Sequence, residues 1–351
     1  MPADRSPQPG YLVCGAGVFG RNHLRVVREL ERQHGTVRLA ALVEPDAARA
    51  ASAAEWDVPV FASLEACLAA RDRGEIALDA ASVCSPTSAH FAVASVLLSA
   101  GLDLLIEKPI AASVDEASRL VELARRHGRV LQTGHLERFN PAVTATEPLL
   151  NHPMFFEAHR LSVFSPRSLD VDVVLDLMVH DLDIVLSLVR SPVRSLHAVG
   201  LPILSPKVDI ANVRIEFESG CVANFTASRV STERVRKLRF FQPHQYVSID
   251  YARQDLLVID VSGAGAPSLP AAEAAGKVEG GFPGLNIDKP KVEPGEPLRL
   301  EIESFLECVR TRTTPRVSGE DGRAALALAL EINAAIAEHA RRAGLDRFAQ
   351  R

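Results

Sequence analysis

The sequence predicts a doubly wound α/β domain with a parallel sheet, followed by an α+β domain with a large, mostly antiparallel open sheet. Three observations carry that prediction. Short apolar runs alternate with amphipathic stretches through the first 135 residues, and a Gly-x-Gly-x-x-Gly turn closes the first run. After Phe139 the pattern changes to segments that alternate with period two. Strands buried on both faces read as continuous apolar runs, because crossover helices cover a parallel sheet. Strands with one solvated face read as alternation instead.

Five apolar runs are the expected parallel strands: Tyr11 to Cys14, Val37 to Val43, Asp79 to Cys84, Leu102 to Ile106 and Val130 to Gly134. Helices are expected between them at Gly17 to His34, Asp46 to Glu55, Ser88 to Ala100 and Ser113 to His127. Ser113 with Glu116 forms a capping box, and Gly128 follows His127 as a stop signal. In the second half a helix is expected from Val171 to Leu188, with Val174, Leu175, Met178, Leu182 and Val185 at helical spacing. Asn212 to Glu218, the Ser219-Gly220 turn and Cys221 to Arg229 form a hairpin signature. Val235 to Phe241, Tyr246 to Asp250 and Leu256 to Asp260 continue the series. Residues 261–297, rich in Gly, Pro, Ala and Glu, read as a long irregular excursion. Two helices end the chain, at Leu298 to Arg310 and Gly322 to Arg342.

Composition narrows the class. At about 150 residues per domain, 351 residues suggest two domains. The formal net charge of −5 lies in short mixed-sign patches, so no basic surface for nucleic acid is expected. No apolar run approaches the roughly 20 residues of a membrane span. The opening MPADRSPQPG has no apolar core and reads as a leader rather than a signal peptide. Cys14, Cys67, Cys84, Cys221 and Cys308 are scattered and odd in number, which fits reduced thiols and a cytoplasmic location.

The chemistry is carried by three motifs. Gly15-Ala16-Gly17-Val18-Phe19-Gly20 joins a strand to a helix. There Gly15 permits the turn, Gly17 admits a pyrophosphate, and Gly20 allows helix to pack on strand. Glu44 ends the second strand, 29 residues after Gly15, where a carboxylate accepts the ribose hydroxyls and repels a 2′-phosphate. That favours NAD over NADP, although Arg49 stands close by. Glu107-Lys108-Pro109 follows another strand end, where ligands meet a doubly wound sheet. Asp176 and His180 are i and i+4 on one expected helix, hence on one face. Asp172, Asp181 and Asp183 are alternatives to Asp176; otherwise they read as a solvated or capping acidic face. No cluster has zinc spacing, so no metal is expected.

Together these motifs resemble the glucose–fructose oxidoreductase, inositol dehydrogenase and rhizopine-catabolism (Gfo/Idh/MocA) family. Its pattern is GxGxxG, then EKP, then D-x-x-x-H-x-x-D, supplied here by Gly15/Gly17/Gly20, Glu107/Lys108/Pro109 and Asp176/His180/Asp183. The resemblance implies a Rossmann NAD-binding domain at 9–136 and a substrate-binding and oligomerisation domain at 137–351. It also implies a homodimer or homotetramer. Family chemistry is hydride exchange at a sugar or polyol carbinol carbon. His180 is then the base, Lys108 steadies the developing alkoxide, and Asp176 orients substrate or Lys108. Which of Lys108 and His180 takes the proton stays open. Besides Gly15, Gly17, Val18, Phe19, Gly20, Glu44, Glu107 and Lys108, the cofactor contacts implied are Ser85, Pro86, Thr87, His90 and Arg138. His90 also reads as a structural helix-start residue, and His23 as helix packing. The glycines that often precede the helical aspartate in the family are absent at Val171-Asp172-Val173-Val174-Leu175.

Two segments, Glu137-Arg138-Phe139-Asn140-Pro141 and Leu175 to Asp183, are similar to the nucleotide-sugar branch of the family. That similarity implies oxidation at C3 of UDP-N-acetylglucosamine to a 3-keto sugar, ahead of transamination in lipid A or surface-polysaccharide assembly. Lys108, Asn140, Asp176 and His180 would line the substrate, with Arg160 and Arg167 on its diphosphate, since guanidinium binds phosphate bidentately. For both arginines a solvated surface role is the alternative. Rival activities are oxidation of a free sugar or inositol and, in another class, an NAD-binding sensor without turnover.

Overall fold

The computed structural model describes residues 8–165, 171–261, 274–277 and 285–345. The chain forms two compact units, Met1–Leu136 with Leu298–Arg323, and Glu137–Pro297 with Ala324–Arg351.

The first unit alternates strand and helix: β1 (Gly10–Cys14), α1 (Val18–His34), β2 (Arg38–Val43), α2 (Ala47–Ser52), β3 (Val60–Phe61), α3 (Leu64–Asp72), β4 (Ala80–Val83), α4 (Thr87–Ser99), β5 (Asp103–Glu107), α5 (Val114–His127) and β6 (Leu131–Gly134). The six strands pair in the order β3-β2-β1-β4-β5-β6, every pair parallel. The reversal of strand order beside β1 is where such sheets open a crevice at the carboxyl ends of the strands. The caps follow the sequence: the Ser113 hydroxyl accepts the Glu116 N–H at 3.2 Å, and Gly128 closes α5 at φ +60°. The short β3 and α3 are not predicted from the sequence, being too brief or too weakly amphipathic.

The second unit begins with α6 (Pro141–Thr144), β7 (Phe155–Val163) and α7 (Val179–Val189). Eight strands follow: β8 (Val193–Leu201), β9 (Ile210–Phe217), β10 (Val222–Ser231), β11 (Val235–Gln242), β12 (Gln245–Asp250), β13 (Asp255–Val261), β14 (Ala274–Lys277) and β15 (Leu285–Pro290). They pair in the order β14-β15-β13-β12-β11-β7-β10-β9-β8. Only β7 with β10 is parallel, so the sheet is mostly antiparallel as expected. Phe156, Val213, Ile215, Phe225, Phe240 and Val247 face one side and pack with Met178, Leu182 and Ile332. Each such fully buried side chain contributes about 1.5–3 kcal/mol.

Four expectations are corrected. The segment 261–297 is not wholly irregular, since β14 and β15 extend the sheet edge by pairing with each other and with β13; the remainder of it before β15 lies outside the described residues. Strands β7 and β8 lie in segments where the sequence pattern predicts no strand. Residues 298–323 belong to the first unit, although the family resemblance implies that all of 137–351 forms the second. Helix α8 (Pro297–Thr311) sends Ile302 and Phe305 into the core around Tyr11, and Arg312 clamps the Asp103 carboxylate at 2.6 and 3.0 Å. The division falls inside the last helix, α9 (Gly319–Ala343). Finally, the helix expected from Val171 opens with a π turn at Val174–Met178 before α7.

Candidate active site

The glycine turn shows three distinct constraints. Gly15 has φ +99°, which disfavours any side chain, and its N–H bonds the Val43 carbonyl at 2.8 Å. A Cβ on Gly20 would sit 1.8 Å from the Gly15 carbonyl oxygen, so only glycine lets α1 pack against the turn. A Cβ on Gly17 would meet nothing within 4 Å; that side of the turn is open. The first turn of α1 carries no acidic residue, leaving its N–H groups and positive end available to an anion. Val18 and Phe19 are exposed there.

Glu44 is buried at the end of β2. One carboxylate oxygen accepts the Ala16 N–H at 2.7 Å; the other accepts the Asp46 N–H at 2.9 Å and pairs with Arg49 at 3.2 Å. Glu44 is therefore a strut for the glycine turn. A carboxylate has about four lone-pair directions, so with three taken acceptor capacity is left for one ribose hydroxyl.

Next in the sheet, Pro86 caps α4 and Thr87 begins it. The Ser85 hydroxyl is buried with no hydrogen-bond partner among the described residues. His90, in the first turn of α4, is buried with Nε2 2.8 Å from the Ser85 carbonyl and Nδ1 2.9 Å from the Pro109 carbonyl. Glu107 at the end of β5 turns inward, 2.8 Å from His23 Nε2; His23 Nδ1 lies 2.8 Å from the Ser82 hydroxyl, itself 2.6 Å from the Tyr11 hydroxyl. The structure thus gives Glu107 a structural partner, because a carboxylate buried at a strand end needs one. Burial pushes the Tyr11 phenol well up, keeping it neutral in this chain. Lys108 follows directly and is half-buried. The open cradle at Gly17, the acid-free start of α1 and the orphaned Ser85 hydroxyl fit a dinucleotide.

In the second unit, Asp176 lies inside the π turn and His180 in the first turn of α7, both half-buried. The wider turn replaces the plain i, i+4 relation of one α-helix; π turns of this kind concentrate at functional sites. Asp172 is the capping residue: one oxygen accepts the Val174 and Leu175 N–H groups at 2.9 and 3.0 Å, and the other the Asn333 amide at 3.0 Å.

Asp181 and Asp183 are neither solvated nor capping, since both are buried in ion pairs. Arg160 holds both Asp181 oxygens at 2.8 and 3.0 Å and Glu137 at 3.1 Å, its guanidinium 5.1 Å from the Tyr251 ring centroid. Burial alone would lower the Arg160 pKa; Asp181 and Glu137 outweigh it and keep the cation charged. This corrects the expectation that Arg160 grips a substrate diphosphate: its donors are committed in the interior. Asn140 is corrected likewise. Its amide donates to Glu137 and the Tyr251 carbonyl at 3.1 and 3.0 Å, and its oxygen caps α6 through the Ala142 N–H at 3.1 Å. Arg138 reaches Asp183 at 3.4 Å. Arg167 lies outside the described residues.

The Glu137–Arg160–Asp181 cluster was missed, yet it left a signal. On β7, Phe156, Ala158 and Arg160 share one parity, so burying the first two buries the third. An aspartate amid the apolar run Val179–Val189 then calls for a buried cation. Among the described residues, no group of three or more His, Cys, Asp or Glu is arranged to hold a metal ion, and no helix is long and apolar enough to cross a membrane.

Comparison with known proteins gives the same picture. Residues 10–135 match the family model described as an oxidoreductase family with NAD-binding Rossmann fold, and residues 153–242 match the GFO/IDH/MocA C-terminal domain. The chain is 35% identical over 326 residues to the UDP-N-acetylglucosamine 3-dehydrogenase of Acidithiobacillus ferrooxidans, covering 92% of this chain and 96% of that one. A solved structure of that enzyme superposes with a TM-score of 0.82, at 34% identity, over 97% of this chain and 99% of that one. An inositol 2-dehydrogenase of Corynebacterium glutamicum is 30% identical over 183 residues, 49% of this chain and 52% of that one. Levoglucosan dehydrogenase, solved with NADH and L-sorbose, shares the fold at a TM-score of 0.79 and 15% identity, over 95% of this chain and 98% of that one. With its glycine turn, its EKP strand end and both domain types in place, the chain belongs to the Gfo/Idh/MocA family of NAD-binding oxidoreductases.

Proposed function

We propose that this enzyme oxidises the C3 hydroxyl of UDP-N-acetylglucosamine with NAD, giving the 3-keto sugar. The carrying observation is the end-to-end likeness to a UDP-N-acetylglucosamine 3-dehydrogenase, together with the retention of Lys108, Asp176 and His180. Bound at the glycine turn, NAD supplies the acceptor for the hydride lost from the carbinol carbon. His180 takes the hydroxyl proton, a task suited to an imidazole whose ordinary pKa is near 6.5. The Lys108 ammonium donates to the same oxygen as negative charge develops there. Asp176 orients the substrate or Lys108. The 3-keto product suits transamination to an amino sugar, as lipid A or surface-polysaccharide assembly requires.

In the same proposal a second copy covers the open face of the nine-stranded sheet, as homodimer or homotetramer. Phe155, Phe241 and Tyr246 form an aromatic cluster on that face, with neighbouring centroids 5.5 and 5.0 Å apart. Reduced, free thiols at all five cysteines support a cytoplasmic setting.

Turnover is tested with NAD and UDP-N-acetylglucosamine, adding an aminotransferase and glutamate to draw off the ketone. Steady NADH formation is expected. Lys108→Ala should lower kcat by about 10²–10⁴-fold while NAD still binds, read by fluorescence titration. Absence of turnover here, with NADH formed from a free polyol, would overturn the substrate.

A further inference from the structure

We propose that His90 is a positioning residue for the reaction, tying the loop that carries Lys108 to the loop that carries Ser85, Pro86 and Thr87. The inference rests on the dehydrogenase reading above and adds a residue to it. His90 is 1% exposed, and its two ring nitrogens face two backbone carbonyls, those of Ser85 and Pro109, at 2.8 and 2.9 Å. A carbonyl only accepts, so each contact is a hydrogen bond only while that nitrogen carries a proton. Pro109 is the residue after Lys108, and Ser85 stands two residues before Thr87, so the ring spans the ends of β4 and β5. Burial draws the His90 pKa below the ordinary histidine value, opposed by the two carbonyl contacts and by the nearby Glu107 carboxylate. A neutral ring has one N–H, which it gives to one loop or the other according to its tautomer. His90 is itself on α4, which continues the Ser85–Thr87 loop, so the single N–H of the neutral ring ties that loop to the Lys108 loop when it donates from Nδ1 to the Pro109 carbonyl; only a protonated ring donates to both carbonyls at once.

The test uses the full chain with His90→Gly and His90→Gln. Displacing a reacting group by about 1 Å can cost 10²-fold in rate. A kcat fall of about 10- to 100-fold is therefore expected in the glycine variant, with the sugar KM little changed. Added imidazole, which can occupy the vacated volume, should restore much of that kcat and leave the wild type unaffected. Glutamine, whose donors sit on one terminal nitrogen of a flexible chain rather than at the edge of a packed ring, should recover less than imidazole does. A second readout needs no substrate: labelling of Lys108 by an amine-specific reagent, followed by mass spectrometry. Its rate should change several-fold in His90→Gly and return with imidazole. Wild-type kcat and wild-type Lys108 labelling in His90→Gly would overturn the proposal. So would parallel loss of folding and activity that imidazole does not rescue. If the wild type itself fails to oxidise the nucleotide sugar, the labelling arm still decides the role of His90.

Discussion

Arg160 illustrates what a single residue can and cannot declare. As a letter in the sequence it suits a diphosphate, because a guanidinium fork matches phosphate oxygens. In the fold it neutralises Asp181 and Glu137 in the interior of the second unit. The distinction is measurable. Arg160→Ala strands two buried carboxylates and should cost about 3–5 kcal/mol of stability, read by urea denaturation. The sugar KM of whatever folds should be unchanged; a diphosphate ligand would show the reverse pattern. The sequence could not separate these roles without the parity of β7, which is visible only once Phe156 and Ala158 are known to face the core. Glu107 was equally ambiguous, since a strand-end carboxylate meets either a ligand or the protein. Here His23 meets it, and His23 read only as packing. By contrast Gly15 and Gly20 were legible individually, because backbone geometry admits few alternatives to glycine there, and Gly17 was legible from its place between them.

At the scale of elements, the strand–turn–helix of the cofactor half makes a paired prediction. Gly20→Ala puts a Cβ against the Gly15 carbonyl and should cost about 3 kcal/mol or more. Gly17→Ala has room and should cost within about 1 kcal/mol. It should nevertheless raise the NAD Kd about tenfold or more, ~1.4 kcal/mol, because the methyl occupies the face open to the pyrophosphate. Denaturation and NAD titration of the two variants check this; equal effects on both readouts would contradict it.

The β8–β9 connection carries another prediction. The buried Asp209 carboxylate accepts the N–H groups of Ile203, Leu204 and Ser205 at 2.8, 2.6 and 2.8 Å and the Ser205 hydroxyl at 2.7 Å. Burial pushes its pKa up, but these donors outweigh that and hold it below the ordinary value. Its stabilisation is therefore full above about pH 4 and is lost as pH falls through the lowered folded value. Asp209→Asn should cost about 2 kcal/mol at pH 7 and progressively less toward pH 2, read by denaturation across that range. Elements were legible where burial is two-sided: β1, β4 and β5 are wholly buried and read as mainly apolar runs without a period-two alternation. Strand β7 was missed because Glu157, His159 and Arg160 interrupt it. The π turn was missed because Val174, Leu175, Met178 and Leu182 suit a regular helical period equally well.

For the whole molecule, the sequence disclosed two architectures in the right order, since hydrophobic period depends on how many faces of a strand are covered. It did not disclose that α8 rejoins the first unit, because Ile302 and Phe305 on an amphipathic helix fit any apolar surface. The proposed hydride removal from C3 of the nucleotide sugar is tested with UDP-N-acetylglucosamine deuterated at C3. With NAD, and the ketone drawn off by transamination, mass spectrometry of the reduced cofactor should show one deuterium per molecule. Reduced cofactor carrying only protium from that substrate would rule out hydride loss from C3.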